Sequence, residues 1–117
     1  MTLQEVKDIL NANVLTKNAN LEAEVNSACG SDLMSDVLAF VKDKALLLTG
    51  LMNPQVVRTA EMMDIATIVF VRGKMPDDAL IELAEEKGIV LMNTELTLFI
   101  SCGRLYNSGL VGKGGQS

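Results

Sequence analysis

Apolar residues recur along the chain first at helical spacing and later in short unbroken runs, so the two halves of the sequence read differently. Leu3, Val6, Ile9 and Leu10 share one side of a helix. Thr2 with Glu5 three residues on is the signature of a capping box. A first amphipathic helix is therefore expected over residues 3–12, closing near Asn11 and Asn13. Val14-Leu15-Thr16 reads as a short strand and Lys17 to Asn20 as a polar turn. Leu21, Ala23 and Val25 alternate with polar residues, which predicts a strand over 21–28 that Gly30 and Ser31 break. A helix carrying Val37, Leu38, Phe40 and Val41 follows and ends near 42–44. Its N-cap is Ser35, with Asp32 to Met34 as a connector, or else Ser31.

From residue 45 the pattern is regular. Ala45-Leu46-Leu47-Leu48-Thr49 is continuously apolar, as in a strand covered on both faces, and Gly50 ends it. Asn53-Pro54 starts a helix with Val56, Val57, Ala60 and Met63 on its inner side. Ala66 to Val71 is a second buried strand, closed by Arg72-Gly73. Pro76 opens the next helix, with Asp77 and Asp78 complementing its dipole, Leu80, Ile81, Leu83 and Ala84 facing the core, and Gly88 just past its end. Ile89-Val90-Leu91-Met92 is a third strand, stopping at Asn93-Thr94. A last helix is expected over 95–106 with Leu96, Phe99, Ile100 and Cys102 or Gly103 inward. Leu46, Ile68 and Ile89 lie 22 and 21 residues apart, a spacing that suits consecutive right-handed βαβ crossovers. The fold class is thus α/β, a three-layer-like series of βα repeats around a mainly parallel sheet. The domain is expected to span 1–108, with 109–117 a flexible Gly-rich tail.

Composition narrows the function classes. One domain fits in 117 residues, and a hydrophobic fraction of 49% is enough to bury a core. With no Trp, one Tyr and three Phe, that core is aliphatic; the seven Met either fill gaps in it or make an adaptable binding surface. A net charge of −5 without a basic run argues against nucleic acid and against an anionic membrane surface. No apolar run is long enough to cross a bilayer, and MTLQEVKDIL does not have the pattern of a signal peptide, so a cytoplasmic protein is expected. Cys29 and Cys102 match no metal spacing and read as small buried hydrophobes. The absence of His removes the commonest general base and metal ligand. Gly112-Lys113-Gly114-Gly115 lacks the spacing of a phosphate-binding loop. No catalytic residue, metal or cofactor is expected.

Consecutive parallel strands bring their C-terminal ends to one edge, where ligands of open α/β sheets bind. That edge would collect Thr49, Gly50 and Asn53, then Arg72, Gly73 and Lys74, then Asn93 and Thr94. Helix starts at Pro54 and Pro76 would point their free N–H groups at the same region, and Arg72 and Lys74 add positive charge suited to an anion. The plain alternative is that Arg72 and Lys74 are solvated loop charges and Thr49 and Thr94 are turn residues.

The stretches Ser31-Asp-Leu-Met-Ser-Asp-Val-Leu-Ala-Phe-Val, Leu46-Leu-Leu-Thr-Gly-Leu-Met-Asn-Pro-Gln-Val-Val-Arg-Thr-Ala-Glu-Met and Ile68-Val-Phe-Val-Arg-Gly-Lys-Met-Pro resemble the DRTGG domain family in order, spacing and strand-end glycines. The resemblance covers residues 2–108. Where the family's strand-end segment often continues with Asp-Arg, this chain has Met52-Asn53-Pro54. The resemblance implies a fold like the N-terminal domain of HPr kinase/phosphorylase. It also implies a regulatory or dimerising role, as in the DRTGG modules of phosphotransacetylases and CBS-type pyrophosphatases. In those pyrophosphatases the CBS–DRTGG region responds to adenine nucleotides, with the CBS domains holding most of the ligand. Relatives that stand alone resemble companions of hydrogenase and redox-sensing proteins. The expectation is a stand-alone, non-catalytic regulatory or interaction module, homodimeric, with a protein partner in a redox, hydrogenase-linked or signalling system. The alternative is a sensor of an adenine nucleotide or other anion at the strand-end edge.

Overall fold

The capping box forms as expected. Thr2 Oγ1 accepts from the Glu5 N–H, the Glu5 carboxylate accepts from the Thr2 N–H, and α1 runs Leu3–Leu10. Asn11 closes it in the left-handed region at φ 49°. In the computed structural model, which describes residues 1–40 and 44–111, the remaining elements are β1 (Asn13–Val14), β2 (Ser27–Gly30), α2 (Met34–Phe40), β3 (Ala45–Thr49), α3 (Pro54–Met62), β4 (Thr67–Phe70), α4 (Asp78–Glu86), β5 (Val90–Asn93) and α5 (Leu98–Asn107). Among the described residues no helix is long and apolar enough to cross a membrane.

The five strands form one sheet in the order β1-β5-β4-β3-β2; β2 to β5 are parallel and β1 is antiparallel to β5. The registers align Leu47, Ile68 and Leu91 in one row across the sheet and Leu48, Val69 and Met92 in the next. Because side chains alternate across a strand, the two rows face opposite layers. The first packs with Val37, Val56, Val57, Ala60, Leu80 and Ala84 of α2, α3 and α4. The second packs with Leu3, Val6, Leu10 and Leu105 of α1 and α5. Burial on both sides is what turns these strands into unbroken apolar runs.

Several local expectations shift. The strand expected over 21–28 is β2 at Ser27–Gly30: residues 21–22 form a turn, and Val25, its N–H bonded to Met1 O, packs into the layer of α1. α2 begins at Met34, ahead of Ser35, while Ser31 Oγ accepts from the Leu33 N–H. Its expected residue Val41 and its expected end lie outside the described residues. Pro76 precedes the N-cap of α4 rather than opening the helix; Asp77 is the cap, its Oδ1 accepting from the Leu80 N–H at 2.9 Å.

α5 starts later than expected, capped by Thr97, and it turns Ser101 and Leu105 inward. Phe99 and Ile100, expected inside, lie outside; Phe99 is 83% exposed. Leu98, Cys102 and Leu105 form the apolar stripe instead. Beyond α5, Leu110 is buried and Val111 bridges Ser27 of the edge strand, so packing continues past residue 108. The rest of the expected tail, 112–117, lies outside the described residues.

Candidate functional site

At the C-terminal edge of the parallel strands the chain leaves β4 toward α4 on one face and leaves β5 toward α5 on the other. Adjacent strands whose connections part in this way make the crevice where open α/β sheets bind ligands. All eight residues expected at the site, Thr49, Gly50, Asn53, Arg72, Gly73, Lys74, Asn93 and Thr94, do come to this edge. Most of their hydrogen-bonding capacity, however, is spent within the protein.

The Arg72 N–H donates to Leu96 O and the Gly73 N–H to Thr94 O, each at 2.8 Å, which stitches the β4–α4 loop onto the β5–α5 loop. Thr94 donates its hydroxyl to Leu10 O at 2.7 Å and accepts from the Leu96 N–H. Asn93 Nδ2 donates to Lys74 O, and Lys74 Nζ donates to Gly50 O at 2.9 Å. These bonds hold Gly73 at φ 68°, where a side chain would also meet the Glu95 carboxylate.

The residue that organises the edge lies in the expected connector between β2 and α2. Asp32, just after β2, accepts from the Gly50 N–H at 2.6 Å and from the Thr49 hydroxyl at 3.0 Å, both through Oδ1. Gly50 and Thr49 are buried. The carboxylate thus occupies the place at the end of β3 where a ligand anion would find its backbone donor. The Gly50 N–H, opposed by partial desolvation but joined by Thr49, Arg72 and Lys74, holds the Asp32 carboxyl below the usual carboxylate range. A polar residue following a strand-end glycine, as in Gly30-Ser31-Asp32, was the available signal.

Two side chains at this edge keep polar groups without a hydrogen-bond partner among the described residues. Arg72 sits in the left-handed region at φ 61°, unusual for a residue with a side chain, and its guanidinium lies over Gly50. Among the described residues that guanidinium makes no hydrogen bond or ion pair. Asn53 takes the N-cap position of α3 with Pro54 behind it, as expected, but its side chain does not cap the helix, and its buried Oδ1 has no partner.

Around this polar cluster the successive strand-end loops expose apolar side chains. Leu33 follows β2, Met52 follows β3 and Met75 follows β4; they are 58%, 36% and 58% exposed. Phe99 and Ile100, at the start of α5 after β5, are exposed as well. Of the methionines, Met34 and Met92 are buried as gap fillers, whereas Met52 and Met75 face solvent here. Clustered exposed apolar groups mark interaction surfaces, and methionine adapts to varied partners.

Both cysteines are free, as expected, but half-buried rather than buried. Burial pushes each thiol up, and the neighbouring Cys102 and Asp36 add to the effect at Cys29. Neither is an activated nucleophile.

A family model described as the DRTGG domain matches residues 5–105. No curated protein matches the chain significantly. Among solved structures, the chain is similar to the CBS and DRTGG domains of the regulatory region of Clostridium perfringens pyrophosphatase, crystallised with the activator diadenosine tetraphosphate. The TM-score is 0.75 at 16% identity, covering 92% of this chain and 46% of that one. At that identity the likeness shows the fold, and this chain spans less than half of the regulatory region it resembles.

Proposed function

The chain belongs to the DRTGG domain family, and from that premise we propose that it is a non-catalytic regulatory module that pairs with a second copy of itself through the strand-end edge. The observation that carries this reading is that Leu33, Met52, Met75, Phe99 and Ile100 are all exposed on the segments that follow the parallel strands, the edge at which Arg72 lies. Aromatic residues, methionine and arginine are enriched at protein interfaces. A two-fold interface must be complementary to itself. This edge meets that requirement by carrying both signs of charge, Arg72 and Lys74 beside Asp32 and Glu95. The partner in a redox or hydrogenase-linked system that the resemblance implies would meet the same surface.

Sedimentation equilibrium over a concentration series tests it. The wild-type chain is expected to dimerise, and Met75→Glu to weaken the dimer about tenfold or more by placing a carboxylate among the apolar side chains of the interface. Met62→Glu, at an exposed methionine on the far end of α3, should leave it unchanged. A wild-type chain that stays monomeric at about 100 μM would remove the reading.

A second reading, a sensor of an adenine nucleotide or other anion, is favoured by the free Arg72 guanidinium and by the diadenosine tetraphosphate bound to the similar pyrophosphatase region. Against it stands Asp32, already seated on the Gly50 N–H. Calorimetric titration with AMP, ATP and diadenosine tetraphosphate separates the two. On the sensor reading at least one binds, and Arg72→Ala weakens it about tenfold; no heat from any of them leaves self-association alone.

A further inference from the structure

The opposite end of the sheet holds a cleft of about 610 Å³, where β3, β4 and β5 begin and the segment from Thr16 to Val25 folds across them. It shares no residue with the strand-end cluster. Its size falls within the range of small-molecule sites. The floor is aliphatic, with Leu3, Val25 and Ile89 buried, and no aromatic side chain lines it.

The rim carries both signs of charge: Lys17 and Lys44, with Glu24, Asp64 and Glu85. Glu85 is partly spent, accepting from the Lys17 N–H at 2.7 Å. Among the described residues, the two ammonium groups and the Glu24 and Asp64 carboxylates enter no ion pair, the one salt bridge being Lys87–Glu61 outside the cleft. The wall also contains an unspent hydroxyl. Thr67 is 1% exposed, and its Oγ1 has no hydrogen-bond partner.

The backbone adds an independent observation. The connections from α2, α3 and α4 back to the next strand each turn through a left-handed residue at this cleft: Lys44 at φ 51°, Asp64 at φ 56° and Gly88 at φ 70°. Glycine is the least costly residue in that conformation, and only the third position uses it. The other two place opposite charges on the rim at a conformational cost.

We propose that this cleft binds a zwitterionic aliphatic ligand of amino-acid or dipeptide size. The lysines would face its carboxylate, Asp64 and Glu24 its ammonium group, and the aliphatic floor its side chain. A nucleobase would find no aromatic platform here, and an anion alone would leave the carboxylates unmatched.

The test is a titration of ¹⁵N-labelled protein with L-leucine and with alanyl-leucine to about 10 mM. Saturable amide shifts are expected at residues 17–20, 44–45, 64–67 and 88–90, and whichever probe saturates first distinguishes amino acid from peptide. 4-Methylpentanoate, which lacks the ammonium, and isoamylamine, which lacks the carboxylate, should each bind about tenfold more weakly. Lys44→Gly keeps the left-handed turn and relieves its strain, so its spectrum should stay folded while leucine affinity falls about tenfold. The proposal is overturned if neither zwitterion produces saturable shifts there, if 4-methylpentanoate binds as well as leucine, or if folded Lys44→Gly binds leucine unchanged.

Discussion

Replacing Phe70 by alanine should cost about 4 kcal/mol of stability, the largest loss expected from any single side chain here. Phe70 is fully buried in β4, between Thr49 and Asn93 in the sheet register, and its ring packs into the layer of α2, α3 and α4. Among the aromatic residues whose surroundings are described it alone is buried, since Phe99 and Tyr106 face solvent. Its removal opens a cavity that aliphatic neighbours anchored to strands and helices cannot fill. Against a total of about 5–15 kcal/mol for a domain of this kind, such a loss leaves a marginal fold. In urea the midpoint should fall by about 2 M with little change in slope, whereas Phe70→Leu should lose much less. Phe70 also sits beneath the strand-end site, its carbonyl accepting from the Thr94 N–H. The alanine variant should therefore loosen the stitched loops that present Arg72.

What was legible in the sequence follows from how local each signal is. β3, β4, β5 and the helices between them announce themselves because strands covered on both faces must be apolar throughout and because caps act over three or four residues. β2 was misplaced because it is an edge strand: Ala28 and Cys29 are only partly covered, and the alternation at Leu21, Ala23 and Val25 reflects contact with the N-terminal segment rather than pairing in the sheet. The inner face of α5 was misread for a related reason. Phe99 and Ile100 are large and apolar, yet the seat against the sheet goes to small Ser101 and to Leu105 once Thr97 sets the start of the helix. At the site, topology brought the eight expected residues together, and local sequence could not show that their donors were already taken. The bond from Gly50 to Asp32 spans 18 residues and exists only after β2 and β3 have paired.

That bond supports the second large effect: Asp32→Ala should cost about 2 kcal/mol near neutral pH. The variant leaves the buried Gly50 N–H and the Thr49 hydroxyl without an acceptor and leaves Lys74 and Arg72 without the carboxylate that balances them. The pH dependence separates this from a loss of packing. The folded protein holds the Asp32 carboxyl below its unfolded value of about 3.9, so the folded state binds that proton less readily than the unfolded state does. The part of the stabilisation that depends on the charge is therefore fully present above about pH 5, declines as pH falls below about 4, and is lost once the carboxyl protonates in the folded state. Urea midpoints measured from pH 7 to pH 3 should show wild type and Asp32→Ala converging as the pH drops, while Phe70→Ala stays offset from wild type throughout. Asp32→Asn retains an oxygen acceptor without the charge and should lie between wild type and alanine at neutral pH. Were the gap between wild type and Asp32→Ala to stay constant down to pH 3, the carboxylate would not be what secures the end of β3. The charge balance assigned to Arg72 and Lys74 would then have to come from elsewhere on the edge.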